Sequence, residues 1–156
     1  MIASQFEAIE FRKAFIGFDE PEFKATFSVV IRHHKSLKAF SNMPIKSIIK
    51  YSNESIDTIF YPTVPMSTYT LALVISDYEC LSTTLNNSLS KNLKISACAR
   101  SNALYQIENL FNISLYLIDY YEKLFKIAFP LPKIEHVSVP DFNFGAMENF
   151  GLIIYK

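Results

Sequence analysis

The 156-residue chain balances fifteen Lys and Arg against fifteen Asp and Glu, and half of it is hydrophobic. That balance leaves no electrostatic footprint for nucleic acid or an anionic membrane, and the apolar content excludes global disorder. No apolar run reaches the roughly 18–20 residues that span a bilayer, and residues 1–6 lack a signal-peptide pattern.

From the N-terminus, Phe27, Val29 and Ile31 alternate with Thr26, Ser28, Val30 and Arg32, which predicts a strand with one face better buried than the other. Tyr69, Leu71, Leu73 and Ile75 repeat the pattern, and Leu93, Ile95 and Ala97 form a shorter third run. Turn signals separate them at Asp19-Glu20-Pro21, His34-Lys35-Ser36, Asn42-Met43-Pro44, Tyr61-Pro62, Val64-Pro65 and Asn86-Asn87-Ser88. Short strands punctuated in this way predict part of an antiparallel β-sandwich.

After Arg100 the period changes. Leu104, Ile107, Phe111, Leu115, Ile118 and Phe125 recur every three or four residues, predicting one amphipathic helix over about residues 103–127. Ser101 or Asn102 is the expected cap, and Pro130-Leu131-Pro132 closes the helix. Residues 134–140 and 151–155 read as strands flanking Gly145-Ala146-Met147-Glu148-Asn149. The fold class is therefore mixed β and α/β, with a division into residues 1–100 and 101–156.

Cys80 and Cys98 lack metal-ligand spacing, and the expectation is two buried thiols rather than a bridge. Sequons stand at Asn53-Glu54-Ser55, Asn86-Asn87-Ser88 and Asn112-Ile113-Ser114, favouring an extracellular or membrane-anchored setting over the cytoplasm. His33 and His34 are adjacent near a strand end, where extended backbone sends them to opposite faces, so they cannot form a helical two-histidine chelate. His136 is solitary, and surface or capping roles are expected for all three.

The 145–149 segment carries the chemistry. A fixed carboxylate such as Glu148 can hold a peptide's ammonium through charge-assisted hydrogen bonds. Gly145 and Ala146 leave room for a substrate backbone to pair as an added strand, and Met147 offers a polarizable wall. Asn149 both donates and accepts. Upstream, Ser4-Gln5-Phe6-Glu7, Phe11-Arg12-Lys13-Ala14-Phe15, Phe18-Asp19-Glu20-Pro21, Ser41-Asn42-Met43-Pro44 and Met66-Ser67-Thr68-Tyr69 stand in the same order as landmarks of one enzyme family. Together these blocks resemble the zinc aminopeptidases of the aminopeptidase N type across essentially the whole chain.

The resemblance implies the later part of an N-terminal β-sandwich over residues 1–100 and the opening of a thermolysin-like peptidase domain over 101–156. It implies peptides with a free N-terminus as partners, and Glu148 as the anchor of the α-amino group. Gly145, Ala146 and Asn149 match positions contacting the substrate backbone, and Met147 and Gln5 match positions of the first side-chain pocket. Asp19 and Glu20, a tempting acid/base pair, match structural positions. Gly17 and Phe150 depart from the more usual Cys and Trp.

The family's single zinc ion is held by H-E-x-x-H on a helix and a further Glu, and none of these occurs in this sequence. The general-base Glu and the oxyanion-stabilising Tyr are absent with them. The chain is expected to contribute substrate recognition to a zinc-dependent aminopeptidase and to be inactive alone. The alternative is a non-catalytic peptide-binding or interaction module derived from such an enzyme.

Overall fold

The computed structural model describes residues 1–87 and 89–156 and is built mainly of short strands. In chain order they are β1 (Ile2–Ala3), β2 (Val30–His34), β3 (Lys38–Ser41), β4 (Ile45–Lys50), β5 (Ser55–Phe60), β6 (Leu73–Ser76), β7 (Glu79–Leu85) and β8 (Leu93–Ala99). Helix α1 (Leu104–Phe125) follows, then β9 (Lys133–Ser138), β10 (Ala146–Met147) and β11 (Leu152–Tyr155). They make three sheets, ordered β1-β6-β3, β2-β5-β4 and β10-β11-β9-β8-β7. The fold is mixed β and α/β, as the sequence predicts. No helix among the described residues is long and apolar enough to cross a membrane.

Two predicted strands are shorter than their patterns. Residues 26–29 run extended but bond only sporadically to residues 60–66, through Phe60 N to Val29 O and Thr63 N to Phe27 O, both 3.0 Å. Pro62 and Pro65 in the facing segment have no N–H to donate, so the ladder becomes regular only from Val30. In the second run, residues 68–70 wind into a 3₁₀ turn, with the Thr70 hydroxyl donating to Ser67 O at 2.7 Å. The strand begins after it, at Leu73.

The helix matches its prediction at both ends to within two residues, but its cap does not. A 3₁₀ turn over Ser101–Ala103 precedes it, and Ala103 stands at the N-cap with no side-chain hydrogen bond. Lys126, left-handed at φ 56°, ends the helix before Pro130 is reached.

The five-stranded sheet is buried on both faces. β8 and β9 pair in parallel, as do β9 and β11, while β7 and β10 run antiparallel on the outside. Helix α1 makes the crossover from β8 to β9, laying Ile107, Phe111, Leu115 and Ile118 against Leu93, Ile95, Ala97 and Ile134. On the other face Cys98, Val137, Leu152 and Ile154 pack with Phe40, Ala72, Val74 and Tyr78 from the first half of the chain. Each such aliphatic side chain contributes roughly 1.5–3 kcal/mol. The change of character near residues 98–102 is thus a strand-to-helix turn within one sheet.

Cys80 and Cys98 form a disulfide, correcting the expectation of two free thiols. They stand directly opposite each other on antiparallel β7 and β8, with Cα atoms 4.1 Å apart. The hairpin between them sets this register, which the 18-residue spacing alone does not reveal.

A polar junction ties β3 to the end of the chain. The buried Lys133 ammonium donates to Ser41 O at 2.7 Å, Gly151 O at 2.9 Å and Glu135 Oε2 at 2.7 Å, which uses all three hydrogens. Burial pushes its pKa down, and the Glu135 carboxylate pulls the other way. Beside it, Asn42 Nδ2 donates to Thr70 O and Phe150 O, both at 2.8 Å, and its Oδ1 accepts from Ala72 N at 2.9 Å. Gly151 lies at φ +70°, and a Cβ there would come 2.2 Å from Asn42 O.

Two stability outcomes follow from this architecture. Gly151→Ala should lower unfolding free energy by more than about 2 kcal/mol, since strain and a backbone clash combine. Urea denaturation checks this, and an unchanged midpoint would show that the junction tolerates a side chain. Reducing Cys80–Cys98 should cost roughly 3 kcal/mol, the chain-entropy value for a loop of this length. Coincident denaturation curves with and without reductant would contradict that.

Candidate functional site

The 145–149 segment lies at a sheet edge. β10 bonds to β11 on one side, with Ala146 opposite Tyr155 and Met147 opposite Ile154, and it is the terminal strand of its sheet. Lys156 N donates to Gly145 O at 3.1 Å, extending the pairing one residue further. The outer edge of β10 carries no strand partner among the described residues. A Cβ added at Gly145 would meet nothing within 4 Å, so the space over that residue is open.

Strand alternation divides the segment between two environments. Ala146 and Glu148 are exposed, whereas Met147 and Asn149 are 1% and 3% exposed. Met147 packs into the central core with Val139 and Phe142. Asn149 braces the turn: its carbonyl accepts from Leu152 N at 3.2 Å, and its Nδ2 lies 3.4 Å from Met147 O. Glu148 projects beside a groove of about 420 Å³ whose walls include Val64, Phe129, Leu131, Phe150 and Ile153.

Gln5 follows β1 in a different sheet. Its Oε1 and Nε2 are both buried and have no hydrogen-bond partner among the described residues. Unpaired buried amide atoms of this kind cost about 1–3 kcal/mol. No hydrogen bond joins it to residues 145–149, but Ala3, two positions earlier, packs against the core cluster that contains Met147.

Sequence comparisons identify the family. The description "Peptidase M1 N-terminal domain" matches residues 1–70, and "Peptidase family M1 domain" matches residues 109–156. The chain belongs to peptidase family M1. It is 40% identical over 153 residues to endoplasmic reticulum aminopeptidase 2 of Bos taurus, covering 98% of this chain and 16% of that protein. It is 38% identical over 156 residues to endoplasmic reticulum aminopeptidase 1 of Homo sapiens, covering 100% of this chain and 16% of that protein. With glutamyl aminopeptidase of Bitis rhinoceros the identity is 34% over 154 residues, 99% of this chain and 16% of that protein. The chain thus spans about a sixth of the length of these M1 relatives.

Family M1 is generally zinc-dependent, and the chain's three histidines are its candidate nitrogen donors. His33 is buried, with Nε2 2.7 Å from Thr58 Oγ1 and Nδ1 3.0 Å from His34 O. His34 is exposed, with Nδ1 2.7 Å from Ser36 Oγ. Their opposite faces follow the strand period, but His33 is a satisfied core residue and not the surface or capping group expected. His136 departs further from that expectation: it is buried on β9, where Tyr155 OH lies 3.0 Å from Nδ1 and Nε2 has no partner. No three His, Cys, Asp or Glu side chains gather as a metal site among the described residues. These donors do not fit a zinc ion.

Asp19 and Glu20 are structural in this M1 chain. The Asp19 carboxylate accepts from Thr68 Oγ1 at 2.6 Å, Arg12 N at 3.0 Å and Arg12 Nε at 3.2 Å. Burial raises its pKa, but these hydrogen bonds outweigh that and hold it below the usual carboxylate value. Glu122 was not anticipated. Its buried carboxylate accepts from Asn87 Nδ2 and Phe129 N, both at 2.6 Å, and from the Ser90 hydroxyl, joining the β7–β8 loop to the exit of α1. Its position within the apolar stripe of α1 was the available signal.

His136 makes the fold acid-sensitive. Burial lowers its pKa from 6.5 to about 4, so between those values the unfolded chain takes up a proton that the folded chain refuses. The stabilisation is whole above about pH 6.5 and is lost as pH falls toward 4, on the order of 3 kcal/mol in all. Replacing His136 with Gln should flatten the pH dependence of the urea midpoint across that window. Parallel curves for the two proteins would remove His136 as the cause.

Proposed function

We propose that this chain supplies the segment with which a zinc-dependent M1 aminopeptidase grips the amino terminus of its peptide substrate. The open outer edge of β10 carries this reading, because it can accept an extended backbone beside Gly145 and Ala146 with Glu148 directly after it. Glu148 would hold the substrate ammonium, Asn149 would brace the turn that presents it, and Met147 and Gln5 would bound the first side chain from within. A free peptide amine, which internal peptide bonds lack, is the feature that makes such a site select chain ends.

In this reading residues 1–100 come from the N-terminal β domain and 101–156 open the peptidase domain. β7 and β8 form the seam, because they are continuous with β9 in one sheet. Zinc, the activated water and the oxyanion partner would come from polypeptide beyond this chain, so the 156 residues bind substrate without turning it over. The reading also favours a setting outside the cytoplasm, like the endoplasmic reticulum named for two of the relatives.

Peptide titration followed by NMR tests the assignment. A short peptide with a free amino terminus should perturb amides of β10, and N-acetylation or Glu148→Gln should each weaken its binding about fivefold, the limit for an exposed ion pair. Equal affinity for the free and acetylated peptides would refute the role of Glu148.

A further inference from the structure

Of the two sequons that lie wholly within the described residues, the fold presents one as an acceptor, and we infer that Asn53 is a site of N-linked glycosylation. Asn53 sits in the turn between β4 and β5, where residues 51–54 are all exposed. The turn is held by Tyr51 N and Ser52 N donating to Ser55 O at 2.9 and 3.0 Å, and by Ser55 N donating to Ser52 Oγ at 3.1 Å. Lys35 Nζ fixes the Asn53 carbonyl at 2.8 Å. Every one of these contacts uses backbone or Ser52. The Asn53 side-chain amide and the Ser55 hydroxyl have no hydrogen-bond partner among the described residues, so the reacting amide and the hydroxyl by which the sequon is recognised are both free.

The Asn112 sequon is set in helical backbone, and the Asn86 sequon is described only in part. Asn112 lies inside helix α1, and its hydroxyl partner Ser114 is buried and donates to Phe111 O at 2.8 Å. Asn86 Oδ1 accepts from Asn92 N at 2.9 Å within the β7–β8 loop, and Ser88 of that sequon lies outside the described residues.

The Cys80–Cys98 disulfide is a second, independent observation. Such bridges persist in oxidising compartments, which are the ones that contain the glycan-transfer machinery. In the transfer, a bond forms between Asn53 Nδ2 and the anomeric carbon of a lipid-pyrophosphate-linked oligosaccharide. The anomeric C–O bond breaks, the lipid pyrophosphate leaves with the electron pair, and the amide nitrogen gives up one proton. The inference is independent of the peptidase reading and uses no residue of the β10 edge.

The test is translation of the whole chain behind a secretory leader in the presence of microsomes, scoring protease-protected chains alone. Treatment with peptide N-glycosidase in heavy-oxygen water should speed migration and leave labelled Asp at position 53, as read by mass spectrometry. Asn53→Gln should remove the label at position 53 and the part of the shift that goes with it, and Asn112→Gln should leave both intact. Label at position 53 together with position 86 supports the assignment equally. Protected chains without a shift, label at position 112, or label at position 86 with position 53 unmodified would each overturn it.

Discussion

The buried ammonium of Lys133 is the constraint around which this chain is organised. An ion taken from water into a protein interior costs several kcal/mol, and the cost is offset only when each of its hydrogens finds an acceptor. Two of the three acceptors here are main-chain carbonyls distant in sequence, Ser41 at the end of β3 and Gly151 at the start of the last turn. The third is Glu135, two residues along the same strand. Satisfying one side chain therefore fixes the first half of the chain against the last, and Asn42 repeats the logic with its three main-chain bonds. Gly151 completes the junction, since the backbones approach too closely there for any side chain.

That junction determines what the 145–149 segment can offer. With Phe150 O and Gly151 O both held, the turn between β10 and β11 has little freedom, and β10 is pinned against β11 in one register. A slip of one residue would exchange the two faces, burying Glu148 and exposing Met147. The period of two thus separates the family-matched residues physically. Ala146 and Glu148 lie on the exposed face and Met147 and Asn149 on the buried one, while Gly145, outside β10, is exposed as well.

Much of this was legible in the sequence because it depended on local periodicity. α1, β8, β9 and β11 occur where apolar spacing placed them, and the family was readable from short blocks spread over both halves of the chain. What escaped was decided by partners remote in sequence. The run over residues 26–29 fails to join a ladder because prolines 62 and 65 face it, and nothing in that run announces them. Cys80 and Cys98 meet only once β7 and β8 are in register, and a spacing between two cysteines says nothing about which residues oppose each other. His136 looked solitary and peripheral in sequence. The parallel pairing that puts β9 between β8 and β11 buries it, and no one-dimensional pattern carries strand order.

If Glu148 anchors a substrate amine as proposed, the strength of that contact depends on water more than on distance. An ion pair at an open sheet edge contributes at most about 1 kcal/mol, because solvent screens it and both partners give up motion. A charge-assisted hydrogen bond in a drier setting contributes about 1.5–3 kcal/mol. Glu148 stands between these limits, exposed itself but bordering an apolar groove walled by Val64, Leu131, Phe150 and Ile153. Whatever covers that groove converts a weak, screened contact into a selective one without moving the carboxylate. Position is set by the Lys133 junction, while affinity is set by how completely the groove is closed to solvent. The two can be varied separately: the first by residues deep in the fold, the second by the walls of the groove.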